Sequence, residues 1–226
     1  MKHGNTVPQV FIFGIGNYEF RDPVFHKLVE SSYVRSHAGG YPEMLTHLYQ
    51  CLRMLVSRDV RGDVAEFGVH KGGTTTFLVR CLLELGHDGT VYGFDTFNGF
   101  PPPRTILDAH NAPSDEFADE KSVRAQCELF PNIALIRGDT YETYLLLEDR
   151  ELILSFFDTD NYSATRKALP LCARQTVPGG VIAFDHYYSP SRPTTLGERV
   201  AANEVFGGSD WLNLHGTGIF LKATQG

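Results

Sequence analysis

Between Met44 and Val56 the apolar residues Met44, Leu45, Leu48, Cys51, Leu52, Leu55 and Val56 recur at helical spacing. They predict a helix that Pro42 is placed to open. From Val64 onward the pattern changes to short apolar runs alternating with helix-length amphipathic stretches. Val64–Val69 reads as a strand and Gly72-Gly73 as a turn. Thr74–Leu85 reads as a helix with Phe77, Leu78, Cys81, Leu82 and Leu85 on one face, ended by Gly86 and Gly89. Further strands are predicted at Thr90–Phe94, Ile133–Ile136, Leu152–Phe157 and Val181–Phe184. The unbroken apolar run at 152–157 marks a strand covered on both faces. Helices are predicted at Glu120–Phe130, Thr140–Glu148, Ser163–Arg174 and Thr195–Phe206, with Pro178-Gly179-Gly180 as a turn before the fifth strand. Trp211–Leu214 and Gly218–Lys222 read as a closing hairpin. The stretch 96–119, with Pro101-Pro102-Pro103 and Pro113, is a long connection of the kind that forms lids.

Five strand–helix units in alternation predict an α/β fold. Its sheet is mostly parallel and seven-stranded, with helices on both faces and an antiparallel C-terminal edge hairpin. Residues 1–60 are expected to form an irregular arm followed by a helix, outside the alternating pattern yet part of the same domain. That segment is available for lid or subunit contacts, and 61–226 carries the sheet. Ligands of such sheets bind beyond the carboxyl ends of the strands, so the residues that end each strand are the functional candidates.

The composition narrows the partners. At 226 residues, 42% apolar and 21% charged, the chain suits one sizeable core. A net charge of −7 gives phosphate-rich partners no general attraction, so no nucleic-acid partner is expected. Cys51, Cys81, Cys127 and Cys172 are widely spaced, without a metal-finger pair, and read as small buried apolar residues. The apolar run Val10–Ile15 is too short for a signal core or a membrane span. A reduced cytoplasmic protein without a membrane partner is expected. Phe13-Gly14-Ile15-Gly16 contains a G-x-G, but no helical pattern or third glycine follows it.

The strand ends carry the chemistry. After strand one, Glu66-Phe67-Gly68-Val69-His70-Lys71-Gly72-Gly73-Thr74 lets backbone approach a ligand in front of helix N–H groups, or simply makes a tight turn. It is neither a dinucleotide fingerprint nor a P-loop. Strand two ends in Asp95, about 20 residues past the glycine turn, where an acid accepts both hydroxyls of a ribose. Strand three ends in Gly138-Asp139, an acid that also fits a helix N-cap. Strands four and five end in Asp158-Thr159-Asp160-Asn161 and Asp185-His186-Tyr187-Tyr188. Carboxylates gathered at one edge call for a cation, and with one imidazole they suit Mg²⁺ or a transition metal. The plainer reading makes one Asp a helix cap and His186 a polar strand end.

These motifs in this order resemble the macrocin O-methyltransferase family of class I S-adenosylmethionine-dependent, natural-product sugar O-methyltransferases. The resemblance runs from about Pro42 to Phe220. It rests on Arg61–Val69 with Gly72-Gly73, Asp95–Pro101, Gly138–Leu145, Phe157–Thr165, Pro178–Tyr187 and Gly197–Phe206. It implies a Rossmann-like fold with Glu66, Gly68, Val69, Gly72, Gly73, Thr74, Asp95, Thr96, Gly138, Asp139 and Asp158 around S-adenosylmethionine. It also implies Asp158, Asp185 and His186 as ligands of Mg²⁺ or another divalent cation, and Asp160 and His186 as catalytic groups, Asp160 the base. His186 stands where the family usually has a third carboxylate. The implied acceptor is a sugar- or diol-containing small molecule, and the implied assembly is a homodimer or larger homo-oligomer. Phe97, Phe100, Tyr187 and Tyr188 are placed to line the acceptor side, and a loop around Pro101–Asp115 to close over it. Two alternatives stay open. One is metal-independent transfer to an amine or phenol with His186 as base. The other is a non-catalytic S-adenosylmethionine-binding protein.

Overall fold

The computed structural model describes residues 22–32, 42–108, 118–187, 196–207, 210–214 and 217–223. Its strands are β1 (Asp63–Phe67), β2 (Val91–Asp95), β3 (Ile133–Arg137), β4 (Leu152–Phe157), β5 (Thr176–Phe184), β6 (Trp211–Asn213) and β7 (Ile219–Lys222). They form one seven-stranded sheet in the order β3-β2-β1-β4-β5-β7-β6. β1 to β5 run parallel, and β7 lies antiparallel between β5 and β6. The chain reverses direction across the sheet between β1 and β4, so a crevice is expected above their carboxyl ends. All six residues of β4 are buried, as its unbroken apolar run predicts.

The helices are α1 (Pro23–Ser32), α2 (Pro42–Ser57), α3 (Gly73–Glu84), α4 (Glu120–Cys127), α5 (Thr140–Thr143), α6 (Tyr162–Gln175) and α7 (Leu196–Phe206). Alternation along each strand sorts the core into two layers. Val64 and Phe156 join Leu48, Leu52, Phe77 and Leu82 under α1 to α3, while Phe67, Phe157 and Phe184 join Ala168, Leu169, Cys172 and Ala202 under α6 and α7. The four cysteines are buried free thiols, as expected. Among the described residues no helix is long and apolar enough to cross a membrane.

Four local expectations are corrected. The segment before Pro42 is not wholly irregular, because Asp22 caps α1 by accepting from Val24 and Phe25 N–H groups, with Pro23 in the first turn. The helix expected over 140–148 is α-helical only to Thr143 and tightens to a 3₁₀ turn over Tyr144–Leu147. The helix at 120 stops at Cys127. Pro178-Gly179-Gly180 lies inside β5 as a bulge, where the register with β4 shifts between Leu152 and Leu154. A side chain at Gly180 would stand 2.6 Å from Thr176 Cγ2, 2.9 Å from Val177 O and 3.1 Å from Ile153 O, so the bulge itself has no room for one. The G-x-G at 14–16, Tyr188, Thr195 and residues 109–117 of the long connection lie outside the described residues.

Candidate active site

A row of stacked phenylalanines lies beneath the carboxyl edge of the sheet. Phe67 stacks on Phe94 at 4.9 Å and on Phe157 at 4.5 Å, and Phe157 stacks on Phe184 at 5.3 Å. They are register partners on β1, β2, β4 and β5. The residue after each is Gly68, Asp95, Asp158 or Asp185, so one apolar row brings these four strand ends to a common level.

The turn after β1 can be built only from glycine at its tightest points. Gly68 has φ 101°, and a Cβ there would lie 1.9 Å from Asp158 O; Gly72, at φ 80°, caps α3. Gly73 and Thr74 open α3. Asp95 secures the turn: its carboxylate accepts from His70 N–H at 2.7 Å and from Phe97 N–H at 2.7 Å. Glu66, on the α3 side of β1, is wholly buried. It accepts from Thr75 Oγ1, while its Oε1 has no hydrogen-bond partner among the described residues. Burial pushes its pKa up to about 8, with the Asp95 charge adding and the Thr75 bond opposing.

Other expected cofactor residues have structural work of their own. The Val69 side chain is buried with Phe97, Val123 and Cys127, so only its backbone is available to a ligand. Thr96 Oγ1 donates to Gly99 O and accepts from Asn98 N–H, holding the turn after β2. Gly138, at φ 141°, donates its N–H to Asp95 O. Asp139 is the N-cap of α5, as one of its two readings held, and also pairs with Arg104 at 2.7 Å. Arg104 lies over the Tyr141 ring, and buried Asp108 accepts from Arg104 and Thr105 N–H and from Ser163 N–H and Oγ. The first half of the long connection is thereby anchored to α5 and α6. Tyr187 and Phe97, expected on the acceptor side, are buried. Tyr187 packs against Phe184 and Phe220 and bonds Asn203 and Asn213 through its hydroxyl, and Phe97 is buried beside Val69.

The ends of β4 and β5 converge. His186 Nδ1 lies 2.7 Å from Asp160 Oδ1 and 3.8 Å from Asp158 Oδ1, and Nε2 lies 3.3 Å from Asp185 Oδ2. One ligand atom each from Asp158, Asp160 and His186 falls within 4.8 Å of the others, a spacing that suits a single cation. This trio differs from the expected ligand set of Asp158, Asp185 and His186. Asp160 turns inward from a left-handed backbone (φ 50°), while Asp185 engages the far nitrogen of the ring. Burial by itself would lower the His186 pKa, but Asp160, with Asp185 and Glu198 behind it, raises it to about 9. Burial and the charges of Asp185, Asp160 and Glu198 push Asp158 well above the usual carboxylate range. Protons, or a cation, stabilise this group of carboxylates.

Glu198, at the start of α7, was not among the expected site residues. It is wholly buried. Its Oε1 accepts from Thr159 N–H at 2.7 Å and Asp160 N–H at 3.0 Å, and its Oε2 from His186 N–H at 3.2 Å. Burial raises its pKa to about 7, against the lowering effect of His186. The segment Gly197–Phe206 contains this residue, but helical spacing gives no sign that its charge is buried.

The chain is 27% identical over 166 residues to the mycinamicin III 3''-O-methyltransferase of Micromonospora griseorubida, covering 65% of this chain and 63% of that protein. It is 25% identical over 195 residues to the 8-demethyl-8-(2,3-dimethoxy-alpha-L-rhamnosyl)-tetracenomycin-C 4'-O-methyltransferase of Streptomyces olivaceus, covering 80% and 73%. This chain thus spans somewhat under two thirds of the first relative and nearly three quarters of the second. The O-methyltransferase NovP shares the fold, with a TM-score of 0.70 at 20% identity over 89% of this chain and 97% of NovP. The family model described as Macrocin-O-methyltransferase (TylF) matches residues 40–199, and the chain belongs to that family.

Proposed function

We propose that the chain transfers the methyl group of S-adenosylmethionine to a hydroxyl of a sugar or polyol in natural-product biosynthesis, assisted by a divalent cation. The observation that carries the reading is the Asp160–His186 pair at 2.7 Å, with Asp158 beside it, at the sheet edge next to the glycine turn. Family membership supports it, as do two relatives that are O-methyltransferases by name.

The residues fit the cofactor. Gly68 and Gly72, where a side chain would run into Asp158 O and Val123, keep the turn tight in front of the α3 N-terminus, and the buried, unpartnered Oε1 of Glu66 suits a positively charged methionine head. Asp95 stands at the end of β2, where a ribose is held in sheets of this kind. Two carboxylates and an imidazole suit Mg²⁺ or a somewhat softer dication, so Asp158, Asp160 and His186 would hold it. Bound there, the cation would supply Lewis-acid polarisation of neighbouring acceptor oxygens, which favours a vicinal diol. Asp160 is placed to receive the acceptor's hydroxyl proton through the carboxylate oxygen that does not face His186. The glycine turn and Asp95 orient the methyl donor for in-line attack, and positioning supplies most of the acceleration. The Arg104–Asp139 bridge and the Asp108 anchor hold residues 104–108 against α5 and α6.

A second reading gives the base's role to His186, without a cation and with an amine or phenol as acceptor. Carboxylates engaging both ring nitrogens hold the imidazole protonated near neutral pH, so this reading requires activity that rises toward pH 9. Incubation with S-adenosylmethionine and a panel of glycosides, phenols and amines, with and without chelator, separates the two. The leading reading expects transfer to diol-bearing glycosides that chelation abolishes and Asp160→Asn lowers about 10²–10⁴-fold. Transfer surviving both treatments would refute that mechanism. The reading includes a cytoplasmic homo-oligomer, with the segment 1–60 contributing subunit contacts and 61–226 the catalytic unit. Light scattering of the full chain against a chain lacking the first 60 residues tests that assignment.

A further inference from the structure

We propose that Glu198 is the positioning residue that locks the two halves of the site together. The site is assembled from two loops that share no strand. Asp158 and Asp160 follow β4, and Asp185 and His186 follow β5. One side chain from a third element bonds the backbone of both. Glu198 Oε1 takes the successive N–H groups of Thr159 and Asp160, and Oε2 takes that of His186. Successive N–H groups converging on one oxygen form an anion-binding concavity, and here its occupant comes from the protein. Thr159 Oγ1 donates to the same Oε1 at 3.2 Å and contacts Thr165 Oγ1 of α6 at 2.7 Å, tying the clamp to the helix.

The clamp explains two features that otherwise stand alone. Asp160 occupies a left-handed conformation, rare outside glycine, and the bond from its N–H to Glu198 helps to hold it there. Gly197, just before Glu198, packs so closely on the start of α6 that a Cβ would lie 2.7 Å from Tyr162 N and 2.9 Å from Leu107 O. A glycine there lets the first turn of α7 approach far enough for the glutamate to reach both loops. Glu198 needs no contact with substrate or cation for this role. It holds the carboxylate of Asp160 against the imidazole of His186.

The inference rests on reading Asp160 and His186 as the working pair, and its test separates the two ideas. Glu198→Gln keeps the shape and one acceptor oxygen but sets an amide N–H₂ against a backbone donor. Gly197→Ala keeps the glutamate and displaces its helix. In a crystal structure of either folded variant the 2.7 Å Asp160–His186 contact is expected to open beyond hydrogen-bond distance. The affinity for Mn²⁺ alone, by calorimetry, should fall about 10–100-fold, and kcat similarly. The affinity for S-adenosylhomocysteine and KM for S-adenosylmethionine should stay within about twofold of the unsubstituted protein, because the glycine turn lies outside the clamp. Glu198→Asp, too short to span both loops, should not rescue. A folded Glu198→Gln protein that keeps the contact, the Mn²⁺ affinity and kcat overturns the proposal. Should both variants fail to fold, amide exchange on the unsubstituted protein decides. The N–H groups of Thr159, Asp160 and His186 must exchange slowly, and fast exchange at these loop positions overturns the clamp. Absence of methyl transfer and of S-adenosylhomocysteine binding in the unsubstituted protein would refute the methyltransferase reading instead, leaving the contact and exchange results to judge Glu198.

Discussion

Glu66→Gln keeps the outline of a wholly buried side chain and removes its charge, so it isolates the effect of burying a carboxylate under the site. The pKa of Glu66 rises from 4.5 to about 8, chiefly because burial excludes the water that would stabilise its charged form. A folded pKa above the unfolded one means that its stabilising contribution is complete below 4.5 and is lost as pH rises through about 8. Each pH unit in that window removes about 1.4 kcal/mol. The expected loss is below about 1 kcal/mol at pH 5, about 3 kcal/mol at pH 7 and about 5 kcal/mol at pH 9, a large share of a domain's stability. The glutamine cannot ionise, so any fixed effect of its amide is the same at every pH. Urea unfolding of both proteins at pH 5, 7 and 9, without cofactor, measures the difference. The variant should gain on the parent by roughly 4 kcal/mol between pH 5 and pH 9. A difference that stays constant within about 1 kcal/mol would show that Glu66 ionises normally and would refute the burial argument. S-adenosylmethionine should flatten the parent's profile, because its cationic head supplies the partner that Oε1 lacks.

Asp160→Asn removes the nearest charge that keeps His186 protonated, leaving only Asp185 and Glu198 to oppose burial. The imidazole should then titrate well below about 9, read from its ring resonances by NMR. In the parent, the stability contributed by this pair is complete below 6.5 and disappears as pH rises through about 9, so apo unfolding curves of the two proteins should converge at high pH. Lys222→Met should lower unfolding free energy by about 2 kcal/mol without changing cofactor affinity, because the ammonium donates to the carbonyls of Ala173 and Thr176 that end α6 and lead into β5. Equal stability of that variant in urea would show those carbonyls to be satisfied otherwise.

The sheet was legible because its strands announce themselves by burial. Leu152–Phe157 has the length and unbroken apolar run of a central strand, and the glycine turns after β1 and the hairpin of β6 and β7 follow local rules. The errors lie where tertiary contact overrides a local signal. Pro178-Gly179-Gly180 reads as a turn, yet it lies inside β5 as a bulge in which Gly180 is crowded by Thr176 and Val177. Asp22-Pro23 is a helix start visible in the sequence, with Val24, Phe25, Leu28 and Val29 as the apolar face behind it. A more informative signal also lay in plain view. Phe67-Gly68, Phe94-Asp95, Phe157-Asp158 and Phe184-Asp185 repeat the same pair at four strand ends, and the stacked rings bring the following residues to one level.

The site was legible as an inventory of strand ends and not as an arrangement. Periodicity brings Asp158, Asp160, Asp185 and His186 to one edge, but which carboxylate faces which ring nitrogen depends on the left-handed turn at Asp160, and an aspartate with positive φ has no signature at that position. Glu198 was hidden for a stronger reason. An acid in the first turn of an amphipathic helix is ordinarily a solvated residue that favours the helix dipole, and that explanation suffices until the helix is seen to press Gly197 against α6. The acceptors that bury its charge are backbone N–H groups, which every residue has and no motif records. Side chains that act on backbone leave their trace in the partner's geometry, here a strained aspartate and a glycine without room for a methyl group. Each of those marks is ambiguous in one dimension. Only in three dimensions do they point to the same carboxylate.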